Sequence, residues 1–206
     1  MQIYFKENLA MLAVPKTGST AYEMALRGRA DIIFAKRRKH MTLAKYHKHI
    51  VPFLDTAYDL NPVTLAVMRD PVDHLRSWYR YRSRPVLIGS PKSTAGMSFD
   101  AYVRDVVSDA PPPYASVGLQ SNMLTLSDGS MPLHHLFCYE NQPQLRSFLE
   151  SRFETDIKLN QKNVSPQIDA PLNPESEAEL RLSSAEDVDL YARLCDAGGH
   201  SQQKTT

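Results

Sequence analysis

Apolar positions in this chain gather into two kinds of segment. Leu9-Ala10-Met11-Leu12-Ala13-Val14 and Val63-Thr64-Leu65-Ala66-Val67-Met68 are short continuous apolar runs, the pattern of strands buried on both faces. Leu133 to Tyr139 reads as a third core strand, flanked by His134 and His135 as structural or surface residues. The intervening segments follow a helical period. Ala21 to Leu26 are mostly good helix formers, and Val72, Leu75 and Tyr79 fall on one face of a helix. Ser98 is placed to cap a helix that Asp109-Ala110-Pro111-Pro112-Pro113 ends. Gln120 to Leu126, Gln142 to Phe153 and Pro174 to Cys195 complete the predicted helices. Arg82 to Met97 and Asn160 to Pro166 read as loops, and Gly198 to Thr206 as a frayed tail. Buried strands alternating with helices predict an α/β fold with a central parallel sheet flanked by helices.

Length narrows this to one domain. The 206 residues provide for a single core, assigned to residues 1–197 with a flexible tail over 198–206. Apolar residues make up 42% and charged residues 23%, as in ordinary globular chains, and the formal net charge is +1. No global field favours nucleic acid or a membrane surface, so any anion site is local. No run approaches the about 18 apolar residues of a membrane span, and the N-terminal residues do not read as an export signal. A cytoplasmic protein is expected. Cys138 and Cys195 lie far apart without metal or redox spacing, which predicts buried, reduced thiols.

Candidate chemistry concentrates at two strand-to-helix junctions. In the first, Val14-Pro15-Lys16-Thr17-Gly18-Ser19-Thr20, a tight turn would gather backbone N–H groups around an anion. Lys16 adds a positive charge, and Thr17, Ser19 and Thr20 add hydroxyl donors. The Walker loop of nucleotide-binding proteins places its lysine after the second glycine, whereas Lys16 precedes Gly18. In the second junction, Arg69 ends the apolar run and Pro71 is well placed to start a helix. Arg69 and Ser77, two turns into that helix, can converge on one anion.

The wording P-K-T-G-S-T resembles the 5′-phosphosulfate loop of sulfotransferases that use PAPS (3′-phosphoadenosine 5′-phosphosulfate). The run R-D-P-x-x-x-x-x-S-x-Y resembles the same family's 3′-phosphate motif, with Arg69 and Ser77 at the phosphate-binding positions. His74 stands where carbohydrate-type members often carry arginine, and Asn163-Val164-Ser165 resembles a late N-x-S element of bacterial and carbohydrate members. The resemblance implies a P-loop-like three-layer fold and sulfuryl transfer from PAPS to the hydroxyl of a small molecule or glycan, leaving PAP (3′-phosphoadenosine 5′-phosphate). It implies that Pro15, Lys16, Thr17, Gly18, Ser19, Thr20, Arg69 and Ser77 hold the donor, with Lys16 also catalytic and no metal.

The general base stays open between two residues. Lys39-His40-Met41-Thr42 resembles the histidine element of glycan-modifying members, and a histidine titrating near neutrality suits base catalysis. Glu23 on the first helix is the alternative. The basic stretch Lys36-Arg37-Arg38-Lys39-His40, continuing through Lys45, His47, Lys48 and His49, is either a solvated face or a docking strip for an acidic acceptor or nucleotide phosphates. Two other functions share these motifs: a catalytically silent domain that binds PAP or a sulfated glycan, and a nucleotide-dependent kinase. The kinase lacks its Walker glycines and a clear strand-borne aspartate for Mg²⁺.

Overall fold

A computed structural model describes residues 1–159, 166 and 168–203. Its strands are β1 (Gln2–Tyr4), β2 (Leu9–Met11), β3 (Ile32–Ile33), β4 (Val63–Met68), β5 (His135–Cys138) and β6 (His200–Gln202). They form one sheet in the order β3-β1-β2-β4-β5-β6. The helices are α1 (Ser19–Ala25), α2 (Leu43–His49), α3 (Val51–Tyr58), α4 (Pro71–Arg82), α5 (Phe99–Val107), α6 (Ser121–Leu124), α7 (Gln142–Phe153), α8 (Pro174–Ser183) and α9 (Ala185–Asp196).

The sheet is mixed, which corrects the expectation of a parallel one. β2, β4 and β5 pair in parallel, whereas β1 pairs antiparallel with β2 and β3, and β6 antiparallel with β5. Short connections impose these reversals. Phe5 to Asn8 turns β1 back into β2, with Asn8 at φ 46° and its N–H donating to the Phe5 carbonyl at 3.0 Å. A connection this short can join only antiparallel neighbours. Gly198 and Gly199, at φ 74° and 84°, reverse the chain after α9 and send it along β5 as β6. Residues 200–202, expected in a frayed tail, are therefore an edge strand.

Alternation along the central strands builds the layers. Leu65 and Val67 of β4 join Tyr4, Met11 and Phe137 in a core closed by Tyr22 of α1 and Leu145, Leu149 and Phe153 of α7. Ala66 and Met68 join Ile3, Leu12 and Leu136 in the opposite core, closed by Leu43, Tyr46, Leu54, Leu124, Leu190 and Leu194. A third cluster binds α4, α5 and α8 through Val72, Leu75, Tyr79, Phe99, Tyr102, Val103 and Leu180. The chain is thus an α/β protein with helices on both faces of its sheet, and no helix among the described residues is long and apolar enough to cross a membrane.

Two further expectations change. The helix expected over Pro174 to Cys195 is two helices, broken where the Ser183 and Ser184 hydroxyls both donate to the Leu180 carbonyl, at 3.0 and 2.6 Å. Serine side chains that bond back to the previous turn bend or interrupt a helix. Cys138 is buried at the end of β5, but Cys195 is exposed on α9.

Candidate functional site

The register of β2 against β4 (Leu9 opposite Val63, Met11 opposite Leu65) sends both strands out of the sheet at the same edge. Crevices outside the carboxyl ends of parallel strands are where open α/β sheets hold ligands. After β2 the chain turns sharply, with Lys16 at φ 65° and Gly18 at φ 72°. Thr17 is buried and its Oγ1 donates to the Val14 carbonyl at 2.9 Å, so this hydroxyl closes the turn. A Cβ on Gly18 would lie 2.9 Å from Cε2 of Tyr139, so glycine is required by both conformation and space. Gly18 precedes α1 without a capping side chain, and the first-turn N–H groups of a helix have no partner within the helix.

The second junction packs against the first. Arg69 follows β4 directly, and Asp70 caps α4 by accepting from the Asp73 N–H at 2.9 Å, with Pro71 in the first turn. Arg69 Nη1 donates to the Lys16 carbonyl at 3.4 Å. His74 Nε2 donates to the Pro15 carbonyl at 3.1 Å. Two motifs more than fifty residues apart in sequence therefore hold each other by side chain and backbone. Burial drives the His74 pKa down to about 4, with Arg69 and Lys16 adding to the shift, so the ring is neutral and its Nε2 proton serves the loop. Ser77 lies between His74 and Tyr81 on the same α4 face and is half-buried, with no hydrogen bond to the loop among the described residues.

Residues that the sequence did not single out fix Arg69. Gln120 grips its backbone on both sides, its Oε1 accepting from the Arg69 N–H at 3.0 Å and its Nε2 donating to the Arg69 carbonyl at 2.8 Å. Asp187 holds Gln120 in turn, accepting the N–H groups of Gln120 and Ser121 at 2.8 and 2.7 Å. Glu140 lies 4.0 Å from Arg69 Nε, and the guanidinium stands 4.3 Å over the Tyr139 ring. Arg69 Nε is buried without a hydrogen-bond partner among the described residues, so the guanidinium keeps donor capacity. Gln120, Tyr139, Glu140 and Asp187 come from three later segments, and only their polarity beside apolar runs marked them.

The ammonium of Lys16 stands 4.3 Å over the Tyr81 ring and 5.9 Å from that of Trp78. Burial, with repulsion from Arg84 and Arg69, lowers its pKa to about 8. The Arg84 guanidinium lies 3.7 Å from the same Tyr81 ring, which ties the start of the Arg82 to Met97 loop to the site.

The two candidate bases, Glu23 and His40, are held by different partners. Glu23 is buried and engaged by the Met1 ammonium at 2.7 Å on Oε1 and by Lys39 Nζ at 2.7 Å on Oε2. Lys39 also donates to Thr20 Oγ1 at 2.7 Å. His40 donates from Nδ1 to the Ala13 carbonyl at 2.7 Å, which leaves Nε2 as the basic nitrogen. Partial burial, aided by Lys39, holds its pKa below the usual imidazole value despite the opposing Ala13 hydrogen bond. Residues 39 and 40 thus touch both arms of the cradle, at Thr20 and Ala13.

Two cavities adjoin these groups. A cleft of about 540 Å³ is lined by Phe34, Arg37, Arg38, His40, Met41, Lys45, His49 and Ile50. A smaller one of about 180 Å³ includes Pro15, Thr42, His74, Trp78 and Gln120 in its wall. His135, expected to flank its strand, lies within β5 and is buried. The Asn163-Val164-Ser165 element lies outside the described residues. Comparison with protein-family models, curated proteins and solved structures returns no match.

Proposed function

We propose that this protein is a PAPS-dependent O-sulfotransferase with a P-loop-like donor site, acting on a small-molecule or glycan hydroxyl. The observation that carries this reading is the pairing of the two anion-binding motifs through the Arg69–Lys16 and His74–Pro15 contacts. A donor with phosphates at both ends of its ribose needs two such sites on one rim. One observation is independent of the motif wording: Arg69 Nε has no hydrogen-bond partner among the described residues, with Glu140 4.0 Å away.

Lys16 and the backbone N–H groups from Thr17 to Thr20 would hold the 5′-phosphosulfate, and Arg69 with Ser77 the 3′-phosphate. PAPS supplies the sulfuryl group, and sulfuryl transfer shares the in-line displacement logic of phosphoryl transfer. A positive charge fixed at the leaving oxygen stabilises developing charge without reorganisation, and this is the role of Lys16. His40 Nε2 takes the acceptor hydroxyl's proton, with its ring held by Ala13. The opposite reading, a PAP-binding domain without turnover, draws on the Lys16 ammonium lying against the Tyr81 ring.

Calorimetry with PAP, ADP and ATP, each with and without Mg²⁺, tests the donor site. Metal-independent preference for PAP that Arg69→Ala abolishes supports it. Preference for Mg-ATP, the kinase outcome, or no nucleotide binding, overturns it. Release of PAP from PAPS in the presence of an acceptor separates turnover from silent binding.

A further inference from the structure

We infer that the cleft beside His40 binds the acceptor, and that this acceptor is an anion: a hydroxyl compound of about disaccharide size carrying carboxylate or sulfate groups and a nonpolar face. The inference rests on the sulfotransferase reading for the word acceptor, and on the cleft alone for its chemistry.

Charge is the first argument. Arg37, Arg38 and Lys45 line the cleft with His49, and no aspartate or glutamate lines it. The chain as a whole carries a formal charge of only +1, so this acid-free cluster is a local excess of positive charge. Among the described residues, none of the Arg37, Arg38, Lys45 or His49 side chains takes part in an ion pair or hydrogen bond. Unpaired like charges around a concave surface raise the local concentration of an anion and gain from its arrival.

Shape and position are the second. About 540 Å³ lies within the range of sites for small organic ligands. Phe34, Met41 and Ile50 give the cleft an apolar wall, which suits the C–H face of a sugar ring or an aromatic aglycone and disfavours an inorganic ion. His40 lines this cleft and is tied to the strand before the loop through its Ala13 hydrogen bond, so a hydroxyl bound here lies beside the imidazole. The cradle residues 15–20, Arg69 and Ser77 do not line this cleft, which separates it from the nucleotide phosphates.

A matched pair of probes tests the inference: 4-nitrophenyl β-D-glucuronide and 4-nitrophenyl β-D-glucoside, which differ in the carboxylate. Binding is measured by calorimetry at low and at physiological salt, on the full chain and on an Arg37→Ala/Arg38→Ala variant whose fold is checked by thermal melting. The glucuronide is expected to bind about tenfold more tightly than the glucoside at low salt and to lose most of that margin in the variant, while PAP affinity stays the same. Equal binding of the two probes, no binding of the glucuronide, or a margin that survives in the variant would overturn it. PAP binding without glucuronide binding sinks the cleft assignment and leaves the donor site standing. Glucuronide binding without PAP binding keeps an anion cleft and removes the transferase reading.

Discussion

Three residues, Lys16, Gly18 and His74, settle most of what the loop can do. Lys16 is held near pKa 8 by burial and by Arg84 and Arg69, so a modest rise in pH discharges it. Its charged form is the one that attracts a phosphate. PAP affinity is therefore expected to fall as pH rises from 7 to 9, and a calorimetric pH series on Lys16→Ala should be weaker throughout and lack this dependence. Gly18 makes a steric prediction. Gly18→Ala must keep φ near +72° and place a methyl 2.9 Å from Tyr139. A loss of about 1–2 kcal/mol in urea unfolding is expected, with PAP binding impaired more than stability. Tyr139→Ala in the same chain relieves the contact but leaves the backbone strain. His74 is shifted in the same direction as Lys16, but its consequence falls on the acid side. Its folded pKa of about 4 lies below the usual 6.5, so the unfolded chain takes up the proton first. Stability is fully present above about pH 6.5 and is lost as pH falls toward 4, by about 3 kcal/mol in all. Thermal melts of His74→Asn, which keeps a donor for Pro15, should show a shallower acid slope than the parent.

At the level of elements, the central strands and most helix starts were legible, whereas the sheet edges and helices α2 and α3, which the basic run over 36–49 masked, were not. β4 was readable to the residue, because Asn61-Pro62 opens it and Arg69-Asp70-Pro71 closes it. Ser98 was readable as a cap, and its side chain accepts from the Ala101 N–H at 3.1 Å. β1, β3 and β6 have two or three residues each, too few for a periodic pattern, and their pairing depends on turns whose conformation is decided in the folded chain. The same limit applies to the site. Lys16 and Arg69 follow apolar runs and carry a local signature, whereas Gln120 and Glu140 acquire their roles only when distant segments pack. β6 carries its own prediction. His200 stacks on Phe137 at 3.9 Å and shares a 3.0 Å hydrogen bond with His135, whose pKa is lowered to about 4 by burial with His200, His134 and Arg152 adding repulsion. Protonating both rings removes the acceptor and sets two cations together. Amide protection of Leu136 and Ser201 should fall as pH drops below 5 through about 4, before that of β4, as hydrogen exchange corrected for intrinsic rates would report; equal loss in both strands would contradict it.

For the whole molecule, the site is a junction between layers rather than a pocket within one. The cradle leaves β2, its partner arginine leaves β4, and Tyr139 and Glu140 follow β5, so an anion bound there ties the three parallel strands together. PAP at a hundredfold excess over its Kd is expected to stabilise the fold by about 2.7 kcal/mol and to raise Tm by about 5–10 °C. Adenosine at the same concentration should leave Tm unchanged, and differential scanning calorimetry compares them directly. A shift limited to a minor early transition would mean that the ligand braces one layer only.

The contact between Gly18 and Tyr139 also sets a time order for the chain during synthesis. Lys16 leaves the ribosome early, but the ring packed against its loop is more than 120 residues behind it. Until β5 is translated and paired with β4, the cradle has neither Tyr139 below it nor Glu140 beside Arg69. A nascent chain stopped short of residue 139 carries both junctions, with the partners of the Arg69–Lys16 and His74–Pro15 contacts, but lacks the ring that packs on Gly18 and the carboxylate beside Arg69. The proposed nucleotide ligand would meet Tyr139 and Glu140 only after β5 has paired with β4, and so would clamp central strands already in place rather than guide their assembly.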